Sequence, residues 1–279
     1  MTPTEQTTVT VRRDVPFHEV DGETLLLDVY EDTETAAPKP AAVLVRGGGF
    51  TVGDKGEFAR HAIDLAADGY LVVEPQYRLA PEWTFPAALV DVKAAIEWCR
   101  TECEHVDAQR VGAVGHSAGA NLVVLAAATA DDPALEPDQY PGASSALSAV
   151  VGYSGIYDFR MGLDDRRETY LGGSPEELPA AYDLASPVEQ ADMSMPPTLL
   201  CHGGHDGVVD PQQSAILAET LGPLTTVDRR VVDGGHGFPF DGAHYEATYD
   251  TTLEFLNGHL GAAQSPSETG PGPGTDTFR

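Results

Sequence analysis

A chain of 279 residues, 42% of them hydrophobic, is long enough to bury a sizeable core in one large domain or two small ones. Its 44 acidic against 16 basic residues give a formal net charge of −28, which argues against nucleic acid as a partner. Three cysteines, two of them four residues apart in a helical pattern, are expected to be reduced, and no CxxC pair or close His/Cys cluster marks a metal site.

The N-terminal stretch from Met1 to Thr10 is polar and lacks the apolar core of a secretory signal. No apolar run approaches membrane-spanning length, so the expectation is a soluble cytoplasmic protein without a membrane partner. Thr8 to Val15 and Leu25 to Val29 read as strands joined by a turn at Asp21 and Gly22, an opening antiparallel hairpin. Ala41 to Val45 is a short apolar strand that runs into Gly47, Gly48 and Gly49. Strand-helix alternation follows: helix at Phe58 to Ala67, strand at Tyr70 to Val73, and helix at Phe85 to Cys103 with Ala88, Leu89, Val92, Ile96 and Cys99 on one buried face. Val111 to Val114 is the next strand, and Ala120 to Ala130 is helix-forming. Further strands are expected at Ala149 to Tyr153, Thr198 to Cys201 and Thr226 to Val232, with helices at Gln212 to Thr220 and Ala243 to Leu256. This alternation predicts an α/β fold with a mostly parallel central sheet of about eight strands and helices on both faces.

Two segments depart from it. Ser154 to Met195, rich in Asp, Glu, Pro and Gly, reads as an insertion at the sheet's edge before the seventh strand, expected to form a small cap. Residues 1–261 are expected to form a single domain, and Ala262 to Arg279, without apolar periodicity, a disordered tail. Lysine occurs only at positions 39, 55 and 93, beside thirteen arginines. Acid excess with lysine scarcity is the composition of halophilic proteins, whose self-repulsion is screened when the Debye length falls to about 3 Å at 1 M salt. The alternative is an acidic mesophilic protein kept soluble by its charge.

The chemistry centres on Gly115, His116, Ser117, Ala118 and Gly119, placed between a strand and a helix. A serine on such a turn projects its hydroxyl clear of the sheet, and the flanking glycines permit the sharp reversal. Ser117 is therefore the candidate nucleophile, and it needs a base. Of nine histidines, His236 in the run Gly234 to Phe238 follows a late strand and is best placed; His18, His61, His105, His244 and His259 sit in hairpin, helix or linker contexts. The orienting carboxylate should also follow a strand, which selects Asp206 over Asp210, assigned to capping the helix after Pro211, and over Asp233, too close to His236 in sequence. The order Ser117, Asp206, His236, with gaps of 89 and 30 residues, is that of an α/β-hydrolase triad. Backbone N–H groups of Gly48, Gly49 and Ala118 are the expected oxyanion donors. Arg46, Phe50 and His116 are placed to line the site.

The set Arg46 to Phe50, Gly53 to Lys55, Tyr77 to Glu82 with Phe85 to Ala87, Gly115 to Gly119 and Gly234 to Phe238 resembles the hormone-sensitive-lipase-like and feruloyl/acetyl-xylan-esterase-like branch of α/β-hydrolases, over about residues 20 to 260. The resemblance implies a serine carboxylesterase with the same triad and oxyanion glycines, no cofactor and no metal, and a structural role for Tyr77 to Glu82. Two departures stand out. Arg46 replaces the family's usual histidine before the glycines, which implies altered loop geometry or substrate preference, or a salt bridge to a nearby acid. Only 45 residues precede the loop, too few for a large N-terminal helical cap, so small to medium acyl esters are the expected substrates. An amidase such as an arylformamidase, or a peptidase, shares the fold and triad. A lapsed hydrolase-fold binding protein is the alternative of a different class, favoured only by Arg46.

Overall fold

Apolar strand segments build one eight-stranded sheet: β1 (Val9–Val20), β2 (Glu23–Asp32), β3 (Lys39–Val45), β4 (Leu71–Pro75), β5 (Val106–His116), β6 (Ala149–Tyr153), β7 (Thr198–Gly203) and β8 (Val227–Val232). The computed structural model describes residues 7–261 except Ala37, Asp131 and Leu163; the expected tail from Ala262 to Arg279 and the first six residues of the polar N-terminal stretch lie outside the described residues. The spatial order is β1-β2-β4-β3-β5-β6-β7-β8, with β1, β2 and β4 paired antiparallel and the remaining pairs parallel. The hairpin expected at Asp21 and Gly22 is present, and both residues take the positive φ that suits a two-residue turn.

Among the described residues eight α-helices accompany the sheet: α1 (Ala59–Ala67), α2 (Ala87–Glu102), α3 (Ala118–Ala128), α4 (Asp165–Leu171), α5 (Pro179–Ala185), α6 (Pro187–Gln190), α7 (Gln212–Leu221) and α8 (Tyr245–Leu260). Strand periodicity sorts them between two layers. Val43 and Val45 of β3 join the core with Leu89 and Val92 of α2 and Leu122 of α3, while Ala42 and Leu44 face Leu65 of α1 and Leu256 of α8. β3, β4, β6 and β7 are buried along their whole length, as strands covered on both faces must be.

Two expectations need correction. The segment 154–195 is not at a lateral edge: it joins β6 and β7, both interior strands, and carries α4, α5 and α6, with α6 packed on α3 and α7. Asn121 of α3 anchors it by donating to the carbonyls of Ile156 and Ala185. Helix α2 is not buried on one face alone, since Asp91, Lys93 and Glu97 are buried as well. They are covered because β1 and the chain after α3 also pack on this helix. Asp91 accepts from the Arg78 side chain and N–H and pairs with His18, tying α2 to β1 and to the segment after β4. Lys93 reaches Glu136 at 2.7 Å.

Glu97, 2% exposed, lies beside Glu136. Burial and that neighbouring carboxyl push its pKa up to about 8. The folded chain then keeps a proton that the unfolded chain releases near pH ~4.3. The resulting stabilisation is full below that value and is lost as pH rises through about 8. Glu97→Gln, which stays neutral, is expected to gain thermal stability relative to the parent as pH rises over that interval. Melting curves of the two proteins that stay parallel across it would show that Glu97 does not titrate there.

Candidate active site

Ser117 closes β5 and opens α3 with φ 54° and ψ −116°, a strained conformation for a residue with a side chain. The glycines on either side are demanded by close backbone contact. A Cβ on Gly115 would lie 2.3 Å from the Gly119 carbonyl oxygen, and one on Gly119 would lie 2.0 Å from that of Val45. The Ser117 N–H is consumed by the Tyr153 carbonyl of β6, which fixes the turn to the neighbouring strand.

Asp206 and His236 follow the carboxyl ends of β7 and β8, and the fold brings them to the serine. His236 Nε2 is 3.0 Å from Ser117 Oγ, and its Nδ1 is 2.8 Å from Asp206 Oδ2. A carboxylate can only accept, so Nδ1 carries the proton and Nε2 is the acceptor for the serine hydroxyl. Burial of Asp206 works to raise its pKa, but hydrogen bonds from His202, His236 and the N–H groups of Val209 and Val208 outweigh it and hold the carboxyl far below its usual range. Asp210 accepts from the Gln212 N–H at the start of α7, and exposed Asp233 pairs with His205, so neither competes for His236.

The glycine loop after β3 lies against this group, with Gly48 at φ 110° and Gly49 at φ 58°. The Gly47 N–H donates to Glu57 Oε2 at 2.7 Å. The N–H groups of Gly48, Gly49 and Ala118 have no acceptor among the described residues, as donors kept for a ligand must. Phe50 lines the pocket and stacks on Tyr170 with ring centroids 3.8 Å apart. His116 also lines it: its Nε2 is 3.0 Å from the His236 carbonyl oxygen, and its Nδ1 is 3.4 Å from Glu57.

Arg46 behaves differently from both expectations. It does not line the pocket beside Ser117, and its guanidinium forms no ion pair among the described residues. It lies behind the loop, where Nη1 donates to the carbonyls of Gly47 and Val52 at 2.8 Å and to the Tyr77 hydroxyl at 3.1 Å, with the guanidinium over the Tyr77 ring. Tyr77 in turn donates to the Gly47 carbonyl, which gives it the structural part expected of its segment. The reason is geometric: a long side chain on a tight loop finds three oxygens on its inner side.

Several site residues carried no sequence signal. Glu57 braces both Gly47 and His116, and although burial raises its pKa, hydrogen bonding to His116 and the Gly47 N–H leaves it lowered. His202, a polar residue inside an apolar strand and four before Asp206, was the legible one; its Nε2 lies 3.4 Å from Asp206 Oδ2. Ile156, Asp164, Arg166, Arg167, Val208 and Val209 complete the wall of a pocket of about 330 Å³ around Ser117. Among the described residues, no group of three or more His, Cys, Asp or Glu side chains is arranged to hold a metal ion. A serine hydroxyl on an imidazole that is itself held by a buried carboxylate constitutes a proton relay suited to acyl transfer.

The BD-FAE family model matches residues 27–221. The chain is 29% identical over 260 residues to Esterase LipC of Mycobacterium tuberculosis, covering 87% of this chain and 64% of that protein. It is 30% identical over 240 residues to Esterase LipQ of the same organism, covering 81% and 56%. The chain thus spans about half to two thirds of the length of these relatives. Among solved structures, the butyrate-bound esterase Est2 of Thermogutta terrifontis superposes with a TM-score of 0.77 at 24% identity, covering 93% of this chain and 96% of that one, a likeness of fold.

The close approach at the elbow leaves no room for a methyl group. Gly119→Ala is expected to destabilise the protein by at least about 1–3 kcal/mol and to lower labelling of Ser117 by a fluorophosphonate. Denaturant unfolding with parallel labelling checks both; unchanged values would mean that the approach of Gly119 to Val45 is not tight.

Proposed function

The chain belongs to the BD-FAE family and has the α/β-hydrolase fold, and from that premise we propose that it is a serine carboxylesterase acting on small to medium acyl esters. The observation that carries this reading is the hydrogen-bonded chain Ser117, His236, Asp206, with distances of 3.0 and 2.8 Å. Ser117 Oγ attacks the ester carbonyl while His236 Nε2 takes its proton. The oxyanion is met by the N–H groups of Gly48, Gly49 and Ala118, each such donor being worth about 2.7–4 kcal/mol. His236 then returns the proton to the leaving alcohol, and Asp206 stabilises the imidazolium in between. Water, activated by His236, attacks the acyl-enzyme and restores Ser117.

The size and lining of the pocket support short acyl groups. About 330 Å³, with Phe50, Ile156, Val208 and Val209 as its apolar wall, suits a short chain better than a long lipid. The Thermogutta terrifontis esterase, similar in fold, has been captured with butyrate. The binding-protein alternative leaned on Arg46, and a side chain that braces the loop from behind gives it no support. Free, buried Cys99, Cys103 and Cys201 support a reducing, cytoplasmic setting, and the charge of −28 supports work at high salt.

Hydrolysis of p-nitrophenyl acetate through decanoate, set beside N-formylkynurenine and aminoacyl amides, tests the reaction class. Ester turnover that peaks at the shorter chains and vanishes in Ser117→Ala is expected; amide turnover far above ester turnover would replace the esterase reading with the amidase one. Asp206→Asn should lower kcat by about 10⁴-fold by losing the tautomer that the carboxylate imposes on His236. A loss of less than tenfold would remove Asp206 from that role. Both activity and Tm are expected to be higher in about 2 M KCl than in about 50 mM, and the reverse order would sink the high-salt assignment.

A further inference from the structure

Four charged side chains line the pocket around Ser117: Glu57, Asp164, Arg166 and Arg167. Three of them are matched. Glu57 accepts from the Gly47 N–H and faces His116. Asp164 accepts from the Arg167 N–H at 2.9 Å and lies 3.7 Å from Arg167 Nε, so it is committed to its neighbour. Arg166 is left over. Among the described residues its guanidinium has neither a hydrogen bond nor an ion pair, although Asp165 and Glu168 share its helix.

This exposed side chain runs beside the glycine loop. A Cβ placed on Gly49 would lie 3.1 Å from Arg166 Cδ and 3.4 Å from its Nη1. The side chain therefore lies against the loop whose N–H groups face the reacting carbonyl. A second observation points the same way. Arg167 is only 4% exposed and lines the same pocket, but its charge is engaged: its Nε lies 3.7 Å from Asp164 Oδ2 and its Nη1 donates to the Met161 carbonyl, so Arg166 is the one left open. In a chain with 44 acidic residues, two adjacent arginines beside the nucleophile, with the one nearby carboxylate, Asp164, taken by Arg167, leave a local positive charge on Arg166.

We propose that Arg166 is a specificity-determining residue for the esterase reaction, selecting esters that keep a free carboxylate. The inference rests on the serine-esterase reading above. The planar guanidinium fork matches a carboxylate in two parallel hydrogen bonds, which a neutral ester of the same length cannot form. It also offsets locally the repulsion that the acidic surface exerts on an anionic substrate approaching the pocket. The substrate class is therefore the monoester of a dicarboxylic acid, or the ester of a hydroxy acid, with the apolar wall of Phe50 and Ile156 taking the carbon chain.

The test compares matched ester pairs in the parent protein and in Arg166→Gln, Arg166→Glu and Arg166→Lys. p-Nitrophenyl hexanoate against the mono-p-nitrophenyl ester of adipic acid places the carboxylate on the acyl side. Phenyl acetate against 4-acetoxybenzoate places it on the alcohol side. The readout is the ratio of kcat/KM for the anionic over the neutral member of each pair. In at least one pair this ratio should fall roughly threefold to tenfold in Arg166→Gln, mainly through KM, as expected of a partly exposed ion pair. It should fall further in Arg166→Glu and be partly kept in Arg166→Lys. Ratios unchanged by Arg166→Gln in both pairs, with brisk turnover of the neutral esters, overturn the assignment of Arg166 and leave the esterase reading standing. No turnover of any ester by the parent, with Ser117 unlabelled by a fluorophosphonate, overturns both.

Discussion

The whole site hangs on one backbone approach. Gly119, at the start of α3, packs so closely on the end of β3 that an added Cβ would sit 2.0 Å from the Val45 carbonyl oxygen. That contact fixes the position of α3 relative to the β3 terminus. The glycine loop begins at the next residue, so the same contact holds the unpaired N–H groups of Gly48 and Gly49 near Ser117. It also forces the tight turn in which Ser117 takes φ 54°, a strain that the neighbouring strand sustains through the bond from the Ser117 N–H to Tyr153. The site lies where open α/β sheets place ligands, at the carboxyl ends of the strands.

Around this contact the acidic residues divide into two populations. Most lie on the surface, where each contributes little alone and their sum sets the field of the molecule. A few hold backbone instead. Glu57 takes the Gly47 N–H, Glu74 takes those of Gly56 and Phe58, and Asp206 takes those of Val208 and Val209. The first two grip the glycine loop segment near its two ends, so the loop is fixed although its glycines make it intrinsically permissive. At Asp206 the grip does more. One carboxylate oxygen receives the two N–H groups and the other receives His236, so the device that shapes the turn also orients the imidazole. Arg46 works from the opposite side of the loop with the reverse chemistry, donating to carbonyl oxygens.

The relay residues were legible because chemistry and chain order constrain them. Ser117 stands between a strand and a helix, and Asp206 and His236 each follow a strand, and these are local patterns. The glycines of the loop were legible for the same reason. Glu57, Arg166 and Arg167 were not, because each is an ordinary charged residue in its own segment and gains meaning only from what packs against it. Arg46 shows the other limit: its identity was conspicuous, but whether it faced the substrate or the Tyr77 ring depended on a turn of the loop that no spacing records. Helix α2 was misjudged for a related reason. Its apolar stripe was real, yet Asp91, Lys93 and Glu97 are buried too, since β1 and the segment after α3 cover the polar side.

By itself, then, the sequence determined the sheet and its helices, through apolar periodicity, and picked out Ser117, His236 and Asp206, which the fold brings into one hydrogen-bonded chain, through their places at strand ends. Both are properties of short windows of chain, which is why they can be read one window at a time. Tertiary structure alone decided which way Arg46 points, which charges in the pocket are matched and which one is left open. Those depend on distances between segments far apart in the chain, from Gly49 to Arg166 and from Gly47 to Glu57. The catalytic reading thus follows from local pattern, whereas the preference for one ester over another follows from packing.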